Sequence, residues 1–400
     1  MLDERIRIFK LLFNLISISV FIIFSGISPV LGFYVVLFCL ALNFGTVAQY
    51  RYVASLIAIF CCTFIISSRN FESGLQQDDF ANIYYLVYNR MQNGDSIFYD
   101  QFSGGVEFFL PLYFKIIGYI FDIQNPVYIM ASVSGLCLLL FYVWLERYGL
   151  EGIERSKKSL CVASSLGLLV FLVTTQNMRQ AISCVFLLYA ITFFVRKQKI
   201  LFSIFFILAI VSHTTSVLVF ALFIIFLQGS NFQKKLILFI GFIALLIFNA
   251  LISFIIAHGL LGAATYKLMF YTTIASDGYN LGYLKFFIIM CMASYFFFSD
   301  KFKNYKSLIW YGSLLYAILI PIPILSQRLL LLLVAFLNGY LMFFSFYKIL
   351  NVYRFILIIY FIYRMITIGP LFSSYGEEGA FMDLWYSYPW IGNSLFYYVR

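Results

Sequence analysis

Long apolar runs recur from one end of the chain to the other, and only short polar turns separate most of them. Of the 400 residues, 63% are hydrophobic and 11% are charged, which is more apolar surface than a water-soluble domain can bury around one core. A helix needs about 20 apolar residues to cross a membrane, and several runs approach that length. The sequence therefore predicts an all-α protein that crosses a membrane many times.

We predict a single integral membrane domain over residues 1–400, built as a bundle of about 13 transmembrane helices within a range of about 11–14. Two short runs flank the polar turn at His213 and predict broken or tilted helices. The predicted spans lie near residues 8–27, 30–45, 52–68, 126–145, 159–175, 181–195, 200–212, 214–228, 235–257, 282–298, 307–323, 328–347 and 354–369.

Charge sets the predicted orientation, because cytoplasmic loops of membrane proteins collect Lys and Arg. With the N-terminus inside, most of the 27 Lys and Arg residues fall in cytoplasmic loops, which explains the formal charge of +10 without nucleic acid. The larger periplasmic segments are then residues 69–125, residues 258–281 and the C-terminal tail 370–400. Within the first loop, the apolar run 108–121 predicts a re-entrant or interfacial helix, or a further span if another short run does not cross.

Arg179 stands between the apolar runs 160–173 and 181–195, where a charge is costly unless it faces a polar cavity or an anionic partner. Asn177 precedes it and Gln180 follows it, so polar groups gather at one end of two helices. A guanidinium suits phosphate oxygens because it can donate two parallel hydrogen bonds. Arg179 is therefore either a binding residue for a phosphate or diphosphate, or an interfacial arginine that reaches lipid headgroups.

Two further cations are candidates on the same predicted side. Arg328 precedes the apolar run 329–334, which repeats the arrangement of a cation at the outer mouth of a helix. It either shares a diphosphate with Arg179 or anchors to headgroups. Lys267, in the loop 258–281, is a weaker candidate because an ammonium in an aqueous loop is usually solvated.

The candidate acids and bases also fall at predicted helix ends. His213 lies in a hydroxyl-rich turn, where a neutral imidazole serves as a base or ties a helix break. Asp78 and Asp79 form a carboxylate pair, with Asn82 on the same side of a helix. Such a pair can hold a cation, divide acid and base roles or cap a helix. Glu107 precedes an apolar run, so it either starts a helix or faces the cavity.

These motifs, in this order, resemble the EpsG/Wzy-like polysaccharide polymerases, which lengthen bacterial surface glycans. The aspartate is doubled here and follows Gln77, where the family usually has a single acidic residue after Gly, so Asp78 and Asp79 are both candidates. The resemblance rests on Asp78-Asp79-Phe80-Ala81-Asn82-Ile83-Tyr84, Glu107, Asn177-Met178-Arg179-Gln180-Ala181-Ile182 and His213-Thr214-Thr215-Ser216, extended by Arg328 and Tyr388-Pro389-Trp390.

The resemblance implies a glycosyltransferase with a helical bundle of the GT-C class, in the bacterial inner membrane with its active site facing the periplasm. It implies transfer of a growing glycan from undecaprenyl diphosphate to a repeat unit on a second undecaprenyl diphosphate, as in O-antigen synthesis. We expect no metal and no cofactor, because the leaving group is already activated. Expected partners are lipid-linked glycans, membrane lipids and the chain-length regulator and flippase of the same pathway, with no nucleic acid.

The candidate residues divide into three expected roles under this resemblance. Diphosphate binding is expected of Arg179, Arg328, Gln180 and Lys267. The base that takes the proton of the attacking hydroxyl is expected to be His213, Asp79 or Glu107. Glycan contacts are expected of Asp78, Asn82, Tyr84 and Asn177.

Two other functions fit part of the pattern. A lipid-linked oligosaccharide flippase or transporter also needs a cationic cavity and broken helices, but transporters usually show two related halves, and none is visible here. An O-antigen ligase performs similar chemistry but usually has a large late loop. Cations gathered at the outer ends of helices favour the polymerase.

Overall fold

A computed structural model describes residues 2–43, 48–71, 78–121, 123–258, 279–322, 325–368, 384–385 and 388–399. Regular secondary structure in these ranges is helical, and they contain no strand. Lys267, one of the expected diphosphate ligands, lies outside the described residues.

The helices follow one another closely along the chain. They are α1 (Leu2–Ile27), α2 (Pro29–Ala41), α3 (Ala48–Ser67), α4 (Tyr85–Gln92), α5 (Phe109–Phe121), α6 (Pro126–Trp144), α7 (Arg155–Gly167), α8 (Val173–Gln176), α9 (Met178–Val195), α10 (Lys199–Ser212), α11 (Ser216–Gln228), α12 (Asn231–Ala257), α13 (Tyr279–Phe297), α14 (Lys303–Leu319), α15 (Leu325–Leu329), α16 (Asn338–Ser345) and α17 (Leu350–Thr367). Wider π-helical turns span Phe80–Tyr84, Leu145–Gly149 and Leu332–Phe336.

The chain forms two compact units, one of residues Met1–Thr214 and Asn351–Arg400 and the other of residues Thr215–Leu350. In the first unit α1, α2 and α3 pack on one another, α3 packs on α6, and α6 packs on α9. The helix α9 also packs on α5 and α10, and 78% of its span is buried. The residue at the start of α9, Arg179, is therefore carried by one of the best-enclosed helices of this unit.

Local sequence explains several helix starts. Pro29 and Pro126 stand at the first turns of α2 and α6, where a missing N–H is tolerated. The side chain of Asn125 accepts a hydrogen bond from the Val127 N–H at 2.9 Å and so caps α6. In the second unit Ser230 and Gln233 form a reciprocal capping box at the start of α12.

The second unit, residues Thr215–Leu350, is built around α14. This helix packs on α11, α12 and α13, and α13 also packs on α16. The apolar run predicted as one span near residues 328–347 is divided into α15, a π-helical turn and α16.

In the part of the chain that the structure describes, five helical segments are long and apolar enough to cross a membrane, namely Ala48–Ser67, Pro126–Gly149, Met178–Val195, Asn231–Phe248 and Tyr347–Thr367. Six shorter apolar helices accompany them. Large apolar side chains face outward on several of these helices; Leu246 of α12, for example, is 63% exposed. Such apolar outer faces suit lipid rather than water. The chain is a polytopic membrane protein, whereas the count of about 13 spans and the GT-C class stay predictions.

The expected span near residues 159–175 is not one helix. The helix α7 ends at Gly167, and the chain resumes a short helix, α8, only at Val173. Gly167 lies against the ring of Phe361 so closely that a Cβ atom at residue 167 would overlap it. Apolar composition predicted one continuous span here, but tight packing and a break in the helix are tertiary features that composition does not encode.

The run expected as a re-entrant or interfacial helix is α5, Phe109–Phe121, which packs on α4, α9 and α10. At 1.5 Å per residue its length is about 20 Å, which is less than the roughly 30 Å hydrocarbon layer. The residues just before it, including Glu107, are thereby held against the start of α9.

Candidate active site

Glu107 is the centre of the main polar cluster of the first unit, and it is only 1% exposed. Its Oε1 atom accepts hydrogen bonds from the Ser103 hydroxyl at 2.8 Å, the Thr214 N–H at 2.9 Å and the Thr214 hydroxyl at 2.8 Å. His213 Nδ1 lies 2.9 Å from the same oxygen. The second oxygen, Oε2, pairs with the Arg179 guanidinium. One buried carboxylate therefore joins a cation and an imidazole that are distant in sequence.

Arg179, the second residue of α9, supplies the positive charge of this cluster. Its guanidinium carbon lies 3.9 Å from the ring centroid of Phe102, which gives a cation–π contact. It also forms a hydrogen bond with the Tyr84 side chain. The side chain keeps 16% exposure, and its Nε is buried without an acceptor among the described residues. Glu107 and Tyr84 thus leave donor capacity on a five-donor group.

Burial, hydrogen bonds and a neighbouring charge together set the protonation of Glu107. Burial on its own raises the pKa of the Glu107 carboxyl, but the hydrogen bond to His213 and the positive charge of Arg179 outweigh it and hold that pKa below its ordinary value. Because an ionised carboxylate only accepts hydrogen bonds, the His213 nitrogen facing it, Nδ1, carries the proton. With that proton on Nδ1, a ring that carries no second proton has its lone pair on Nε2, as a general base requires.

His213 is positioned by the end of α10. It follows Ser212 as the cap residue with φ −160° and ψ 120°, so extended backbone turns its ring out of the helical path. Its side chain is 19% exposed. The predicted break at His213 is confirmed in that α10 ends at Ser212 and the next helix begins at Ser216.

A second polar network lies at the same ends of these helices and is centred on Arg69. Its Nη2 and Nη1 atoms donate to the two oxygens of Asp78 at 2.8 and 3.0 Å, and neither side chain is exposed. Arg69 Nε donates to the Thr175 hydroxyl at 2.9 Å. Gln176 accepts from the Asp79 N–H at 3.0 Å and donates to Asp78 at 3.4 Å.

Charged pairs also mark the opposite ends of the same helices. Arg51, near the start of α3, binds Glu146 through two hydrogen bonds of 2.7 Å. Arg196, just past the end of α9, pairs with Glu151 and stacks on Tyr148. Arg51 and Arg69 lie near opposite ends of α3, and Arg179 and Arg196 lie at opposite ends of α9. The first unit therefore has two polar ends.

Comparison with known families identifies the chain. A model of the EpsG family matches residues 53–389, which is most of the sequence. The chain belongs to the EpsG family. The resemblance found in the motifs is thereby confirmed, and the matched range includes both polar networks described above. No curated protein and no solved structure matches the chain.

The candidate residues of this EpsG family member fall into several environments. Glu107, Arg179 and His213 are joined directly, and Tyr84, which is 2% exposed, contacts Arg179. Asp78 is fully enclosed. The other described candidates are half-buried Asp79, Asn82 and Asn177 and buried Gln180 in the first unit, and half-buried Arg328 on α15 in the second.

Several residues of this EpsG site are missed by sequence reasoning. Arg69 directly follows the apolar run of α3, where an arginine usually marks the edge of a membrane span. The hydroxyl of Ser103 and the ring of Phe102 lie in a turn-rich loop with no motif of its own. The one available signal is charge balance, because Arg69 is followed nine residues later by Asp78.

The carboxylate and imidazole groups of the EpsG site are the side chains that could hold a metal ion. Within the described ranges, no group of three His, Cys, Asp or Glu side chains has a metal-binding arrangement. The two carboxylates with the most donors, Asp78 and Glu107, are each already paired with an arginine. Metal independence stays a prediction.

Proposed function

We propose that this EpsG family protein is a membrane glycosyltransferase that polymerises undecaprenyl-diphosphate-linked repeat units into a surface polysaccharide at the periplasmic face of the bacterial inner membrane. Family membership supports the class of reaction, and the membrane-spanning helices support the lipid-linked substrates. The observation that carries the chemistry is the joining of Arg179 and His213 by the buried carboxylate of Glu107.

The reaction needs a leaving group to be stabilised. The acceptor hydroxyl attacks the anomeric carbon of the growing glycan, a new C–O bond forms, and the old bond to the diphosphate oxygen breaks. Negative charge then develops on undecaprenyl diphosphate, and an oriented cation in a poorly solvated site stabilises it. Arg179 fits this role, because Phe102, Tyr84 and Glu107 fix its guanidinium while part of its donor capacity stays available.

The same reaction needs a base. The attacking hydroxyl loses its proton as the new bond forms, and we assign that proton to Nε2 of His213. We assign Glu107 as the group that orients the imidazole and stabilises the imidazolium that results, because the carboxylate is held by hydrogen bonds from its neighbours and contacts His213 Nδ1. Glu107 is not assigned as the base itself, because its lowered pKa makes it a weak one. The half-buried Asp79 and Asn82 are proposed to contact the acceptor glycan, together with Asn177 at the start of α9.

The test is deletion of the gene followed by complementation and electrophoresis of the surface glycan. We expect single repeat units in the deletion strain, a full ladder with the wild-type gene, and no ladder with Arg179→Ala or His213→Ala at wild-type membrane levels. Arg196→Ala is the matched control for Arg179→Ala, because it removes a similar ion pair and ring contact from the other end of α9. We expect this control to restore the ladder.

Two other results would overturn the proposal. Full-length polymer that stays on its lipid carrier in the deletion strain would indicate a ligase. Repeat units that accumulate on the cytoplasmic face would indicate a flippase. The participation of a chain-length regulator and a flippase of the same pathway is proposed as well, and the modal length of the ladder reports on the former.

A further inference from the structure

The ion pair between Arg69 and Asp78 is fully enclosed, with both side chains 0% exposed. An enclosed ion pair stabilises a fold little, because desolvation of both charges offsets most of their attraction. What such a pair does supply is fixed geometry, since the planar guanidinium fork meets both carboxylate oxygens at once. The question is therefore which parts of the site this geometry holds.

Asp78 holds the segment that carries Tyr84. Its Oδ1 atom accepts hydrogen bonds from the Phe80 N–H at 3.0 Å and the Ala81 N–H at 3.4 Å, which are the first N–H groups of the π-helical turn Phe80–Tyr84. Tyr84 closes that turn and forms a hydrogen bond with Arg179. A displacement of Asp78 is thereby transmitted to Arg179 through one rigid turn.

Arg69 holds the chain that leads into α9. Its Nε donates to the hydroxyl of Thr175, and its partner Asp78 accepts from the side chain of Gln176. These two residues end α8, and only Asn177 separates them from α9, whose second residue is Arg179. Arg69 is thus connected to Arg179 along a second route.

We infer that Arg69 and Asp78 are positioning residues that fix the Arg179 guanidinium from two sides, through Tyr84 and through Thr175. This inference deepens the proposed function and rests on it for the role of Arg179. It also moves Asp78 from the expected glycan contacts to an internal role, because its carboxylate is enclosed and already accepts from Arg69, Gln176 and the backbone. Asp79, the neighbouring half-buried residue, is then the aspartate that we assign to the glycan contacts.

The chain supplies a matched control pair. Arg51 and Glu146 form the same two-pronged contact between an arginine and a carboxylate, with side chains 4% and 9% exposed. Arg51 lies on α3, the helix that Arg69 follows, but at the opposite end. A purely structural role predicts equal effects of the two pairs on stability and on catalysis.

The experiment compares Arg69→Lys with Arg51→Lys in lipid nanodiscs, with a polyprenyl-diphosphate-linked repeat unit as substrate. Each change keeps the charge but loses the planar fork. We expect Arg69→Lys to lower kcat by about 10- to 100-fold, because a displacement of about 1 Å can reduce a rate by that much, and to change KM by less than about threefold. Arg51→Lys should leave kcat within about twofold.

Thr175→Val and Thr175→Ser extend the test. Valine replaces with a methyl group the hydroxyl that accepts from Arg69 Nε and donates to the Leu172 carbonyl at 3.1 Å, while serine keeps that hydroxyl. We expect the valine variant to lower kcat in the same direction as Arg69→Lys and the serine variant to restore it. In the double variant Arg69→Lys/Arg179→Lys, kcat should fall by less than the product of the two single fold-decreases. In Arg51→Lys/Arg179→Lys, the two fold-decreases should multiply.

Hydrogen–deuterium exchange separates this inference from the proposed function, because it needs no turnover. Arg69→Lys should speed exchange in peptides covering residues 80–84 and 177–181, and Arg51→Lys should leave these peptides unchanged. Inactive wild-type protein with this exchange pattern would refute the polymerase function and keep the positioning role. If wild-type protein is active but Arg69→Lys and Arg51→Lys have equal kcat and equal exchange, the positioning role is overturned.

Discussion

Replacing Glu107 with Gln keeps the shape of the side chain and removes the charge that joins the cluster. Oε1 accepts from Ser103, from His213 and twice from Thr214, whereas Oε2 accepts from Arg179 as its one partner among the described residues. The amide oxygen therefore takes the first position, and the amide NH2 group faces the guanidinium. Two donors then oppose each other beside a cation that has lost its anion.

The expected magnitude follows from the burial of the partners. Removing one member of a buried pair lowers stability by about 3–5 kcal/mol, and residual water reduces that loss. Since the Arg179 side chain keeps 16% exposure, we expect Glu107→Gln to lower the free energy of unfolding by about 2–3 kcal/mol. We also expect kcat to fall by about 100-fold or more, because the imidazole loses its orienting anion.

The assay is chain extension by purified protein, with unfolding in mixed micelles measured on the same samples. Glu146→Gln is the control, because Glu146 is also paired with an arginine, here through two hydrogen bonds, but lies at the other polar end. It should lose comparable stability and keep kcat within about twofold. A folded Glu107→Gln protein with kcat within about threefold of wild type would refute the assigned role of this carboxylate.

Four further predictions concern catalysis, packing and pH. His213→Ala should lower kcat by about 100-fold with little change in KM. A rise in KM as large as the fall in kcat would return His213 to a structural role. Arg328→Ala should abolish long glycan ladders while the protein still inserts, and a normal ladder would remove Arg328 from the mechanism. Gly167→Ala should lower the free energy of unfolding by about 1–3 kcal/mol, because the added methyl group overlaps the fully buried Phe361 ring; micelle unfolding at wild-type stability would contradict this packing. Because the folded-state pKa of Glu107 is lowered, its contribution to stability is complete above the ordinary carboxyl pKa and decreases as the pH falls below that value, so Glu107→Gln should show a weaker acid dependence in the same unfolding assay.

The helices could be predicted from sequence because long apolar runs in a membrane have few alternatives to the α-helix. The start of α9 and the end of α10 at His213 follow from polar residues between apolar runs. The break between Gly167 and Val173 could not be predicted, because the residues between them are all apolar and only the packing of Phe361 distinguishes the site.

Three members of the candidate site, Glu107, Arg179 and His213, could be identified as candidates from the sequence, but their connections could not. An arginine between apolar runs requires an anion or a polar cavity, and Arg179 was identified on that ground. The sequence interpretation assigned that anion to a diphosphate, whereas the structure also supplies one from the protein, Glu107, which lies 72 residues away along the chain. Pairing over that distance is a tertiary feature with no local pattern.

Arg69 shows the opposite case, in which a buried charge has an ordinary local context. An arginine directly after an apolar run usually extends toward headgroups, so its position gives no reason to expect complete burial. Its burial depends on Asp78 and Thr175, which arrive from two later segments of the chain. Only the folded arrangement shows that its charge is used internally.

The central claim is tested most directly by the stoichiometry of the reaction catalysed by purified protein given only a polyprenyl-diphosphate-linked repeat unit. We expect one polyprenyl diphosphate to be released for each new glycosidic bond, with products that lengthen over time, and both rates to fall by about 100-fold or more with His213→Ala or Arg179→Ala. Glycan lengthening without diphosphate release, or release and lengthening at the wild-type rate in both variants, would contradict the account.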